Sequence, residues 1–201
     1  LGLLTILLST SAMALEEPKY SPITSLGDVE FRLYAPYLVA ETFVAGEPDQ
    51  SQAANTGFRR LFSYISGNNQ AQESIAMTAP VQQQAVSRKM SMTLPVQQMP
   101  KDEGWLISFV VPAEFDINSV PTPGNPEVRI QAIPEQLMAV LTYSGRWTEQ
   151  NRQQHTRELL DALEDAGIKL LGIPVYASYN SPFSLPFTRR NEIMVAVASA
   201  P

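Results

Sequence analysis

The chain has no cysteine and one histidine, and past its first fourteen residues no apolar run of membrane-spanning length. Without thiols there is no disulfide, thiolate zinc site, Fe–S cluster, covalent haem through Cys-x-x-Cys-His or thiol nucleophile. A lipid-anchoring cysteine is excluded as well. The lone imidazole, His155, rules out a metal site of two or more histidines and leaves a Ser-His-Asp triad a single possible base. No Gly-x-Ser-x-Gly, Gly-x-Gly-x-x-Gly or phosphate loop occurs. Positive charge is scarce too, with 14 Lys+Arg against 20 Asp+Glu, a net charge of −6 and a pI near 4.8. Such a chain repels a phosphate backbone, so nucleic acid is not an expected partner.

The opening stretch, LGLLTILLSTSAMA, is apolar and ends in the small-x-small pattern that signal peptidase cleaves after. Residues 1–14 are therefore read as part of a signal peptide, and the protein as periplasmic or secreted and not membrane-spanning. The remainder suits one domain, placed at residues 19–198.

Two stretches repeat each other. Residues 29–46 and 128–145 each read as two extended segments meeting near a proline. Laid 99 positions apart they match at Val29/Val128, Leu38/Leu137, Ala40/Ala139 and Gly46/Gly145. A helix is expected after each. In the first, Ala54, Phe58, Leu61, Phe62 and Ile65 share one apolar face before Gly67; in the second, Thr148 caps the start, Leu159, Leu160, Leu163 and Ala166 form the buried stripe, and Gly167 ends it. Strands are expected at Arg88–Leu94, where Met90, Met92 and Leu94 alternate, at Trp105–Val111 and at Glu192–Ala198. A proline-rich connection, Val120–Pro126, joins the halves. The order strand-strand, helix, strand-strand occurs twice, which implies an α+β fold: a pseudo-two-fold, open or distorted antiparallel β-barrel from two strand-helix-strand halves, with two flanking helices.

No side chains are marked for catalysis. Glu158, Asp161, Glu164 and Asp165 lie away from the leucines of the second helix and read as a solvated face. His155 lies at the edge of that helix's apolar stripe, either as a boundary histidine or as an axial ligand to a metal centre. Met77, Met90, Met92 and Met194 read as core filler, with a thioether ligand as the alternative. The loop in YNSPFSLPFTRRNEIMV, residues 179–195, is more telling. Pro182 and Pro186 stiffen it, so Phe183, Leu185 and Phe187 have little backbone freedom left to lose on binding. They form a cleft wall or cover one end of the barrel. Arg189 and Arg190 either pair with Glu192 or face the cleft, where one would suit a ligand carboxylate.

Together with SIAMTAPV, GFRRLFSYISGNN and VEFRLYAPYLVAET, that loop resembles the signatures of the SOUL/haem-binding protein family, in order and over about residues 19–198. The resemblance implies a pseudosymmetric barrel and non-catalytic, non-covalent binding of haem or another porphyrin in a hydrophobic cleft. On this chain the cleft would involve Phe58, Phe62, Phe183, Leu185 and Phe187, with Arg59, Arg189 or Arg190 for propionates. The chain departs from the family in three places: Leu33 stands where some members carry a proposed axial histidine, and Ser63 and Leu185 stand where some carry basic residues. His155 lies outside the motifs. The competing readings are a binder of other hydrophobic effectors, a tetrapyrrole-modifying enzyme and a protein-interaction module.

Overall fold

A computed structural model describes residues 16–46, 49–71, 87–181 and 183–201. The expected signal peptide, the whole of SIAMTAPV with Met77, and Pro182 lie outside the described residues. The strands are β1 (Tyr20–Leu26), β2 (Val29–Tyr34), β3 (Tyr37–Ala45), β4 (Asn69–Gln70), β5 (Val96–Lys101), β6 (Gly104–Val110), β7 (Thr122–Pro123), β8 (Val128–Ile133), β9 (Gln136–Tyr143), β10 (Val175–Ser178) and β11 (Asn191–Ala196). The helices are α1 (Gln50–Ile65) and α2 (Glu149–Asp165). Nine strands form one curled antiparallel sheet in the order β1-β2-β9-β11-β10-β5-β6-β3-β8. Among the described residues β1 and β8 are its two edges, so the barrel is open as the repeat implied.

The pairing register makes the two-fold relation explicit. Adding 99 to Tyr37 and Thr42 of the β3–β8 pairs Tyr37↔Ile133 and Thr42↔Val128 gives the β9 residues Gln136 and Leu141, which pair Tyr34 and Val29 of β2. The β3–β6 pair Val44↔Trp105 has its equivalent in Tyr143↔Asn191. The halves meet where β5 pairs with β10, and the pseudo-dyad passes through the pair Tyr176↔Gln98. Both helices cover one face of the sheet, α1 over β6, β3 and β8, and α2 over β9 and β11.

Three expectations change. The buried face of α1 is Ala53, Gly57, Leu61, Tyr64 and Ile65, whereas Phe58 and Phe62 are exposed and Ala54 is half-buried. The cause is Gly57: a Cβ there would lie 2.4 Å from Ile107 Cγ1, so the missing side chain lets the helix settle on β6. Counting apolar letters puts the seam one residue too far round. Secondly, Arg88–Leu94 is not a strand. Its backbone is hydrogen-bonded elsewhere, Met90 N to Ile65 O, Arg88 N and O to the Asn69 side chain, and Leu94 N to Glu16 O. The ladder position falls to Val96–Lys101, whose Gln97, Gln98 and Pro100 show no apolar alternation. A tight turn at Asp102, with φ of 48°, returns it into β6. In α2, Thr148 caps as expected and Leu159 and Leu163 are buried, but Leu160 is half-buried and Ala166 is exposed as the C-cap. The four carboxylates of its outer face are solvated.

Candidate functional site

Residues facing each other across antiparallel strands share a sheet face. One row on the helix-covered face therefore runs Tyr143–Asn191–Ser178–Val96–Phe109 across β9, β11, β10, β5 and β6. At its β6 end, Phe58 of α1 meets Phe109 edge-on, with centroids 5.3 Å apart, and stacks on Phe62 at 5.8 Å with an interplanar angle of 10°. The opposite flank of α1 is fastened by Arg60, which donates to Phe43 O and pairs with Glu127 ahead of β8. The two phenylalanines are thus on the flank towards β5 and β10, where Phe62 is 48% exposed.

The loop from Tyr179 to Arg190 leaves β10 at Ser178, in that same row. Its apolar side chains are open to solvent: Phe183 is 95%, Leu185 59% and Phe187 74% exposed. The backbone is tied down nonetheless. Gly145 N donates to Pro186 O, Arg190 N to Asn180 Oδ1 and Arg189 Nε to Ser184 O. Trp147, between β9 and α2, donates its indole N–H to Asn191 Oδ1 at 2.5 Å and carries the Arg189 guanidinium over its ring at 4.6 Å. Exposed Trp147 extends the apolar surface of the loop. Sequence reasoning missed it, because its exposure is visible only in the fold.

The arginines separate in role. Arg190 reaches the other sheet face and pairs with both Glu17 oxygens at 3.0 Å and with Glu192 at 2.9 Å. The carboxylate of Glu192 is fully buried and also accepts from Arg32 and from Tyr179 Oη at 2.6 Å. Burial and the Glu192 charge push the Tyr179 phenol well above its ordinary range, and burial pushes Tyr34 up to about 12. The structure therefore assigns Arg190 to a buried ion network and removes it as a propionate partner. Arg59 is exposed on α1, its Nε donating to Asn55 O. His155 is engaged: Nδ1 is 2.6 Å from Glu158 Oε2 and the ring lies on Tyr143 at 4.4 Å. This is the boundary histidine, and nothing in its geometry favours an axial ligand. Met90 and Met194 are buried as core filler and Met92 is half-buried. Leu33 sits in β2 opposite Leu137.

A floor lies between the helices at the pseudo-dyad. Arg152 reaches from the first turn of α2 over Tyr176 of β10 and Trp105 of β6, with centroid distances of 4.7 and 5.0 Å. Gln50 at the start of α1 bonds Gln98 between them. Two cavities lie apart from this surface. One of about 540 Å³ separates α2 from the β1–β2 turn, lined by Leu26, Val29, Leu141 and Ala162 with Asp28, Glu158 and Asp165. One of about 330 Å³ is on the opposite sheet face, among Tyr37, Glu41, Ser108, Met138 and Met194. Neither cavity is lined by Phe58, Phe62, Phe183, Leu185 or Phe187, which lie exposed on the surface.

The sequence model of the family described as "SOUL heme-binding protein" matches residues 15–196. The chain belongs to the SOUL haem-binding protein family. Heme-binding protein 2 of Homo sapiens is 31% identical over 177 residues, covering 87% of this chain and 80% of that protein. The Mus musculus protein of the same name is 29% identical over 194 residues, covering 94% and 89%. Among solved structures, the EcmrR C-terminal domain superposes with a TM-score of 0.58 at 12% identity, over 90% of this chain and 99% of that one. A protein described as a hydrolase from Listeria innocua gives 0.52 at 11%, over 85% and 92%. At these identities the structural likeness is one of fold. The SOUL architecture is thus shared with proteins of other descriptions, and function has to be argued from the site residues.

Proposed function

We propose that this chain is a non-catalytic binder of haem or another tetrapyrrole, held without a covalent bond in the groove between the Phe58–Phe62 flank of α1 and the Phe183–Phe187 loop. The observation that carries this reading is a stacked aromatic pair left in solvent on a helix whose core face is already complete. Family membership and the printed names of the human and mouse relatives support it. The groove suits the macrocycle more than the iron: Leu33 cannot ligate, and His155 is held by Glu158 and Tyr143. Affinity then rests on apolar burial. About 500 Å² of apolar surface at about 25 cal/mol per Å² is about 12 kcal/mol, which leaves roughly the 8 kcal/mol of micromolar binding after an association cost of about 4 kcal/mol.

No group of three or more His, Asp or Glu among the described residues is arranged to hold a metal ion. Export, with cleavage after Ala14, is part of the same proposal, and N-terminal sequencing of the exported protein checks it. The ligand reading is tested by titrating purified protein with haem and following the Soret band. Saturable one-to-one binding that Leu185→Asp abolishes supports it, and the absence of saturation at micromolar protein overturns it. A second reading, a small hydrophobic effector with no haem role, is favoured by the 330 Å³ cavity, whose size suits a drug-sized molecule. Binding of such molecules by a protein that ignores haem would select it.

A further inference from the structure

Arg152 is a feature of the helix-covered face that the apolar account does not use. Its side chain is 12% exposed, and Nε is the buried side-chain polar atom without a hydrogen-bond partner among the described residues. Its nearest carboxylate, the largely exposed Glu149, is 3.8 Å from Nη2, beyond hydrogen-bonding distance. A guanidinium taken this far out of water without a close anion is costly. The Trp105 and Tyr176 rings stabilise it through their π faces but supply no acceptor. The Glu17–Arg190–Glu192–Arg32 network shows the contrast, because every guanidinium there has a carboxylate within 3.0 Å.

Position gives the second argument. Tyr176 lies two residues along β10 from Ser178, and Trp105 four residues along β6 from Phe109, all on the helix-covered face. From strand spacings, the guanidinium is on the order of 10 Å from the Phe58–Phe109 contact. The helix-covered face therefore has the exposed aromatic flank on one side and an under-partnered cation about 10 Å away. That is the polarity of a flat apolar molecule carrying acidic arms.

We infer that Arg152 is the carboxylate anchor of this groove, taking a propionate of the bound tetrapyrrole through the N–H groups of its guanidinium. The inference rests on the tetrapyrrole reading and adds a residue from α2 to a site otherwise formed by α1 and the loop. The test compares protoporphyrin with its dimethyl ester, which keeps the macrocycle and removes both negative charges, on wild type, Arg152→Gln and Arg152→Lys. In the expected result, wild type binds both forms, Arg152→Gln weakens the free acid on the order of tenfold and leaves the ester within twofold, and Arg152→Lys falls between. Equal losses for both forms in Arg152→Gln would assign Arg152 a structural role and overturn the inference, and so would no loss for either. If wild type binds neither form, the tetrapyrrole reading itself fails and the inference fails with it. Melting curves of the variants separate unfolding from lost affinity.

Discussion

The two halves share a strand register yet use it differently. In the first, Ala53 and Gly57 bring α1 down onto β6, and Leu106 faces the interior of the curled sheet. In the second, the sheet position equivalent to Leu106 is Glu192, and the first turns of α2 carry Arg152 and His155, which lie on the rings of Tyr176 and Tyr143. One half is sealed by close packing, and the other carries a polar layer on each face of its sheet. A repeated backbone thus leaves each half free to specialise: the sealed half presents an exposed aromatic flank, and the polar half supplies charge at the dyad.

The largest break in this comparison should come from the polar half. Glu192→Gln leaves Arg32 and Arg190 without their shared carboxylate and should cost about 3–5 kcal/mol in denaturant unfolding. Next, Gly57→Val forces a Cβ against Ile107 and should cost about 3 kcal/mol by the same measurement; a cost below about 1 kcal/mol would mean that α1 is not seated by that contact. Alkaline pH sharpens the difference. Tyr34 and Tyr179 titrate above the usual tyrosine value of about 10, so their contribution is complete below pH 10 and is lost as pH rises towards and beyond about 12. Stability should fall in that window by about 1.4 kcal/mol per pH unit per tyrosine, with a shallower fall in Tyr34→Phe. Phe62→Ala should weaken haem on the order of tenfold while changing stability by less than about 0.5 kcal/mol, since the ring is off the core face. Smallest of all, His155→Ala should leave haem affinity within about twofold.

Much of the fold was legible in the sequence because the 99-residue repeat survives as register, down to the strand pairs on both sides of the dyad. What escaped was set by tertiary hydrogen bonding and not by local pattern. Val96–Lys101 becomes a strand because β6 and β10 supply its partners, while Arg88–Leu94, with better alternation, bonds to the end of α1 and to Asn69. The exposed aromatic surface was legible in part. Phe183, Leu185 and Phe187 were read as a cleft wall or a cover, and the structure leaves them exposed, whereas Phe58 and Phe62, also named for the cleft, had been assigned to the buried face of α1. For Arg190 the pairing with Glu192 was one of two readings, and its second partner, Glu17, escaped because it is far away in sequence. Trp147 and Arg152 gave no motif, since their roles come from rings and strands that the topology brings together.

The central claim is where the ligand sits, and amide chemical-shift mapping with diamagnetic zinc protoporphyrin tests it most directly. The account expects saturable shifts at residues 54–62, 143–152 and 183–191, with the opposite sheet face quiet. Shifts gathered instead around Tyr37, Ser108, Met138 and Met194, or around the β1–β2 turn, would contradict it.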